Sequence, residues 1–273
     1  MPTSNQATLS DTEFSQFRQL IHTIAGIHLS DTKKTLVAGR LNKRLRSLAM
    51  ATYGEYFRLI GKDKAELQTC VDLLTTNETY FFREPKHFDF LRELLQKPGA
   101  IPSGRPLRIW SGACSSGEEP YTLALLLAER LGERPWEILA SDISQRILTQ
   151  ARNGVYDLED GQNIPRHLLV KHCLRGVDDN QGRMMIAPAL RQRVRFAQIN
   201  LNNALPDVGL FDVIFLRNVM IYFDADTKRQ VVARLLKHLR PGGHFIISHS
   251  ESLNGVNDTL RVVKPSIYQN PDA

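Results

Sequence analysis

The sequence predicts an α/β protein: an open, mainly parallel sheet carrying a small antiparallel insert, preceded by an all-helical N-terminal region. Three observations predict it. The stretch LRIWSGACSSGEEPYTLALLLAERL, residues 107–131, reads as strand, glycine-bearing turn and helix. Beyond it, short apolar runs of strand length alternate with helical patterns as far as residue 247. Before it, residues 10–75 carry helical periodicity alone.

Taken in order, Phe14, Phe17, Leu20, Ile21 and Ile24 line one face of a first helix that Gly26 ends. Ser30 or Asp31 caps a second helix running to about Leu48, with Val37, Leu41, Leu45 and Leu48 as its apolar row. Lys33, Lys34, Arg40, Lys43, Arg44 and Arg46 against Asp31 give this helix a charge of +5, in a chain whose net charge is +6. Such a run is either a solvated face or a docking surface for an acidic partner. Short helices follow at 53–60 and 65–74. The segment TTNETYFFREP (75–85) precedes a helix that Pro85 starts and Phe88, Leu91, Leu94 and Leu95 anchor. Tyr80, Phe81 and Phe82 read as packed core, whereas Asn77, Thr79 and Arg83 stand near a helix terminus where ligands are commonly met. QKPGAIPSGRP (96–106) is a linker.

In the central stretch, Leu107, Ile109 and Trp110 form the strand, and Gly112 and Gly117 the turn. Ser116 with Glu119 fits a capping box, and Leu123, Leu126, Leu127 and Leu131 the helix, which Gly132 stops. Ligands of open α/β sheets lie at the carboxyl ends of strands, where this turn falls. It is neither a P-loop, since Glu118 and Glu119 replace Lys and Ser/Thr, nor a dinucleotide turn, since Cys114 replaces the middle glycine. Carboxylates here would repel a triphosphate; they favour a nucleoside-type ligand with cationic parts, such as S-adenosylmethionine, or else complement a helix dipole. Residues 136–141 are the next strand, with Asp142 at its end placed to cap a helix, bond ribose hydroxyls, or both. Residues 155–193 break the rhythm and read as a small antiparallel subdomain with a hairpin tip at DDNQGR (178–183). The sheet resumes at 194–200 and 211–216. A helix carrying Val232, Leu235, Leu236 and Leu239 ends at PGG (241–243), and a strand lies at 245–247. LRVV and SIYQ around Pro265 make a closing antiparallel pair.

Composition sets bounds. The length of 273 residues suggests about two domains, and 42% hydrophobic with 23% charged residues is ordinary for a globular protein. No run approaches the ~20 apolar residues of a membrane span, and the polar start is unlike a signal peptide. Cys70, Cys114 and Cys173 lack zinc spacing and read as reduced thiols, which points to the cytoplasm.

In that order, TTNETYFFRE, WSGACSSGEEPY, ASDIS, INL and FLRNVMIYFD resemble the chemoreceptor glutamate O-methyltransferases, the CheR type, over nearly the whole chain. The resemblance implies a Rossmann-like methyltransferase sheet with S-adenosylmethionine as cofactor and S-adenosylhomocysteine as product. Together with the reading above, it gives a helical domain at 1–95 that includes the basic helix 31–48. A linker follows at 96–106, then a methyltransferase domain at 107–273 with its insert at about 155–193. The family's cofactor contacts fall on Asn77, Thr79, Arg83, Glu118, Asp142, Asn200, Leu201, Arg217 and Asn218. Arg83 and Tyr222 are the candidates for orienting a glutamate carboxylate, and no metal is expected. The implied substrate is the helical cytoplasmic methylation region of chemotaxis receptors, met by Arg40, Lys43, Arg44 and Arg46. A monomer is expected, without nucleic acid and without membrane insertion. A glutamate side chain of pKa near ~4.3 is ionised at neutral pH, so methylation needs no general base. Two other readings stand beside this one. A pI of 9.3 and the basic helix suit a nucleic-acid methyltransferase, although a D/N-P-P-Y-type turn is absent. The other is a noncatalytic S-adenosylmethionine-binding regulator.

Overall fold

The computed structural model describes residues 7–271. Its N-terminal part is four helices: α1 (Asp11–Ala25), α2 (Lys34–Ser47), α3 (Tyr53–Ile60) and α4 (Lys64–Leu74). The reciprocal Ser10–Glu13 capping box starts α1, and Gly26 closes it at φ 71°. The second helix begins differently from its sequence reading. Asp31–Lys33 form a 3₁₀ turn, and the Ser30 hydroxyl bonds Thr32 instead of capping. Phe14, Phe17, Ile21, Val37, Leu41, Leu45, Tyr53, Tyr56 and Cys70 close a core of their own. Leu48, the C-cap of α2, is only partly buried.

After α5 (Pro85–Leu94) come β1 (Leu107–Gly112), α6 (Glu118–Leu131), β2 (Trp136–Asp142) and α7 (Gln145–Asn153). The insert holds β3 (Val155–Asp157), α8 (Arg166–His172), β4 (Cys173–Arg175), β5 (Arg183–Ile186) and α9 (Pro188–Arg191). The sheet then continues with β6 (Val194–Gln198), β7 (Phe211–Leu216), α10 (Ala225–Leu236), β8 (Leu239–Ile247), β9 (Arg261–Lys264) and β10 (Ile267–Gln269). The main sheet runs β6-β2-β1-β7-β8-β10-β9, with β6 to β8 parallel and β10 and β9 antiparallel; the insert is a separate antiparallel sheet, β3-β5-β4. The α/β class, the insert and the closing pair are thus as the sequence predicts.

Four details differ. Phe81, Phe82, Phe88, Phe90 and Leu91 belong to the core around β1 and α6, so the packing boundary falls near residue 75 and not at 95. Tyr80 is 46% exposed, unlike its two aromatic neighbours, because the segment turns it outward to the cleft described below. No Ser116–Glu119 capping box forms. Gly117 is the N-cap, the Ser116 hydroxyl bonds Glu118, and Glu119 turns to Ser111 and Arg217. Leu239 and PGG lie inside β8 and not at the end of α10, in a strand whose register with β7 shifts.

Candidate active site

The exits of four adjacent parallel strands form one wall of a cleft. Ala113–Ser115 follow β1, Asp142 and Ile143 end β2, Ile199–Leu201 follow β6 and Arg217–Val219 follow β7. The facing wall comes from the helical part: Ala25 at the end of α1 and Ile27, His28 and Leu29 after it, Lys33, Leu36 and Arg40, then Leu74 to Tyr80 and Arg83. The walls are tied together. His28 N–H donates to Tyr222 O at 2.7 Å, and the Asn200 amide donates to Ile24 O at 2.6 Å. Gln68 donates to Ile143 O at 3.1 Å.

The backbone around the cleft is bent. Ala113, Ser115, Phe82, Glu84 and Asn218 all have φ between 50° and 59°, the left-handed region that costs a non-glycine residue about 1–3 kcal/mol. Ala113 and Ser115 thereby make the turn without the glycines common elsewhere. Gly117 serves packing: a Cβ there would lie 2.8 Å from the Tyr156 hydroxyl and 3.0 Å from Ala151 Cβ.

Asp142 is 6% exposed and accepts one N–H on each oxygen, from Ser115 to Oδ2 and Ser144 to Oδ1, both at 2.9 Å. Burial pushes its carboxyl up, against the pull of those amides. A carboxylate keeps roughly two acceptor positions per oxygen, so each retains one for a ligand hydroxyl. Arg217 is 5% exposed, with Nη1 3.0 Å from Glu119 and Nη2 3.2 Å from Glu84; it also donates to Arg83 O. Glu119 is pushed up by burial and partly pulled back by Arg217. Arg83 donates to Glu78 O at 2.8 Å and lies 5.6 Å over the Tyr80 ring.

Asn77, Thr79, Arg83, Asp142, Asn200, Leu201, Arg217, Asn218 and Tyr222 therefore line one cleft, although they come from segments far apart in sequence. Glu118 does not line it. Its carboxylate is buried under the turn against the Ser116 hydroxyl, at 2.7 and 2.8 Å, and burial pushes its pKa up. Glu119 takes the lining position, which the doubled acid signalled without saying which of the two points in. The four basic residues of α2 also separate. Arg40 reaches into the cleft wall, donating at 3.0 Å to Leu74 O, Thr75 O and the Thr76 hydroxyl. Arg44 is bound to Glu66, and only Lys43 and Arg46 stay exposed. Glu84 and Ser115 are participants the sequence reading missed, because their partners are distant in the chain.

An S-adenosylmethionine cofactor fits these residues. Asp142 offers acceptors for a ribose diol at the strand exit where such ligands bind. Ile143, Ile199, Leu201 and Phe223 offer apolar surface to a base, and Glu119 offers negative charge to cationic parts. Bound there, the cofactor supplies a methyl carbon made electrophilic by its sulfonium. The chain's own part is to bind, orient and exclude water.

Residues 12–75 match the family described as CheR methyltransferase, all-alpha domain, and residues 77–268 match CheR methyltransferase, SAM binding domain. A chemotaxis protein methyltransferase 2 of Pseudomonas aeruginosa is 42% identical over 259 residues, 94% of this chain and 92% of that one. The chemotaxis protein methyltransferase of Escherichia coli is 37% identical over 270 residues, 97% of this chain and 93% of that one. A glycopeptide N-methyltransferase, MtfA, solved with S-adenosylmethionine is more distant, with a TM-score of 0.36, 18% identity and coverage of 64% and 58%. With two adjoining family matches over most of its length, a cleft suited to the methyl donor and close relatives of nearly equal extent, this chain belongs to the CheR family of S-adenosylmethionine-dependent methyltransferases.

Proposed function

We propose that the chain transfers the methyl group of S-adenosylmethionine to glutamate side chains in the helical cytoplasmic methylation region of chemotaxis receptors. The products are glutamate methyl esters and S-adenosylhomocysteine, and the reaction serves sensory adaptation. The observation that carries the reading is the single cleft joining the strand exits, which hold Asp142 and Arg217, to the helical wall that holds Arg83. The named relatives are chemotaxis methyltransferases, which supports the receptor as substrate.

The acceptor carboxylate arrives ionised, so the residues facing it need only orient it and strip part of its water. Arg83 orients it through one hydrogen bond, since a bidentate clamp would lower its nucleophilicity; Tyr222 lies in the same lining and is the second orienting group. Asn77, Thr79, Asp142, Asn200, Leu201, Arg217 and Asn218 hold the cofactor. Glu118 acts on it only through the turn that it braces. The chain works as a monomer in the cytoplasm; among the described residues no helix is long and apolar enough to cross a membrane. The nucleic-acid methyltransferase reading is less favoured, because Arg40 and Arg44 of the basic helix are occupied by partners within the protein. The test is incubation with a receptor cytoplasmic fragment and methyl-labelled cofactor. Alkali-labile label on the receptor supports the reading, and label on nucleic acid or none at all overturns it.

A further inference from the structure

Glu84 sits behind the cleft in a conformation that needs an explanation. It is the N-cap of α5 at φ 58°, ψ 66°, yet its side chain makes no cap hydrogen bond. The carboxylate turns instead toward the exits of β7 and β8. Oε1 accepts from the Ser248 hydroxyl at 2.8 Å and from the Asn218 amide at 3.3 Å. Oε2 accepts from His249 N–H at 3.2 Å and faces an Arg217 nitrogen at 3.2 Å. Burial opposes its ionisation, but Ser248, the Arg217 charge, Asn218 and His249 together hold its carboxyl down to about 2.

Two of those four donors belong to the pair that lines the cleft after β7. Asn218 is itself left-handed, at φ 59°, and its amide also donates to the Ser248 hydroxyl at 2.7 Å. Arg217 is held on its other side by Glu119. Glu84 is thus the point where the α5 start, the β7 exit and the β8 exit meet, and its neighbour Arg83 faces the cleft.

Glu84, His87 and His249 also bring one possible metal-ligand atom each within 4.8 Å. The carboxylate argues against a cation there. Its roughly four acceptor positions are already met by four donors, one of them a guanidinium. The fully buried His87 places Nδ1 3.3 Å from Glu84 Oε2 and Nε2 2.7 Å from the Ser266 hydroxyl, which the exposed His249 reaches at 3.0 Å.

We propose that Glu84 is a positioning residue for the methyl donor: its carboxylate sets the Arg217–Asn218 turn in the shape that binds the cofactor, without touching the cofactor itself. The inference rests on the cofactor reading of the cleft, so wild-type affinity for S-adenosylmethionine is measured first and tests that reading separately. Glu84→Gln keeps the size but turns one acceptor oxygen into a donor facing donors, whichever way the amide lies. Cofactor affinity should fall roughly tenfold or more, as expected when a charged hydrogen-bond partner is lost. The turnover rate at saturating cofactor should change much less. Glu84→Asp should recover part of the affinity, and Ser248→Ala, which removes one donor, gives a milder variant should Glu84→Gln fold poorly. A residue acting through Arg217 gives non-additive losses: Glu84→Gln in an Arg217→Gln background should weaken binding far less than it does alone. Affinity within about twofold of wild type in folded Glu84→Gln overturns the proposal. Additive losses in the double variant overturn it equally, because they make Glu84 independent of the turn.

Discussion

Ser115 donates its backbone N–H to Asp142 Oδ2 at 2.9 Å, joining the turn after β1 to the end of β2. Asp142 is thereby part of the turn's architecture as well as a carboxylate in the cleft lining. The Ser144 amide fixes the other oxygen, so the free acceptor positions of Asp142 are aimed before any ligand arrives.

Asp142→Ala should therefore weaken cofactor binding by about 1.5–3 kcal/mol, the cost of a charge-assisted hydrogen bond. It should also lower stability, because two backbone donors lose their acceptor. Calorimetry on the folded variant checks the first effect. Unchanged affinity there removes Asp142 from the site.

Arg83→Ala separates orientation from binding. With the guanidinium anchored on Glu78 O and, among the described residues, without a carboxylate partner, its loss should slow single-turnover methyl transfer more than it weakens the cofactor. Equal losses would make Arg83 a cofactor-binding residue and leave orientation to Tyr222.

The basic helix divides into two experiments. Arg44→Ala strands Glu66, which is buried and otherwise held by the Tyr56 hydroxyl at 2.8 Å. Since Arg44 is itself part-exposed, the loss of stability should be about 2 kcal/mol, below the figure for a fully buried pair. Lys43→Ala with Arg46→Ala touches only exposed charge. It should leave melting and cofactor affinity alone while raising the receptor KM and flattening its salt dependence. An unchanged receptor KM would make this face a solvated surface and move receptor recognition to the insert at 155–193.

The pH dependence of stability has a definite sign at His87. Burial, with Arg217 nearby, pushes its pKa from 6.5 down to about 3. A depressed histidine contributes fully above pH 6.5 and loses its contribution as the pH falls toward 3, on the order of 2 kcal/mol by pH 5. Glu119 and Asp142, pushed up by burial, act in the opposite sense and are relieved by acid. The readout is consequently a difference. The fall in unfolding free energy from pH 6.5 to 5 should be shallower in His87→Asn than in wild type, and parallel curves would contradict the buried neutral imidazole.

Local pattern made much of this legible in the sequence. Strand–turn–helix at 107–131, the alternation after it and the exit residue Asp142 depend on period and punctuation, which a chain displays directly. What stayed hidden depends on partners distant in sequence. Whether Glu118 or Glu119 faces the cleft is decided by Arg217, which lies across the sheet on the β7 exit. Whether Arg40 and Arg44 are free is decided by carbonyls at 74–75 and by Glu66. Helical periodicity assigns α5 to the N-terminal helices, yet Phe88 and Leu91 pack into the core of the sheet. Glu84 ends the TTNETYFFRE motif, but its role is not legible there, because its four donors come from the exits of β7 and β8.

The most direct measurement is single-turnover transfer of labelled methyl to a receptor fragment, run beside a fragment whose methylation-site glutamates are replaced by alanine. The account predicts alkali-labile label on the first, none on the second, and a rate that collapses with Arg83→Ala in the enzyme. Equal labelling of the two fragments, or no labelling by a protein that binds the cofactor, would contradict it.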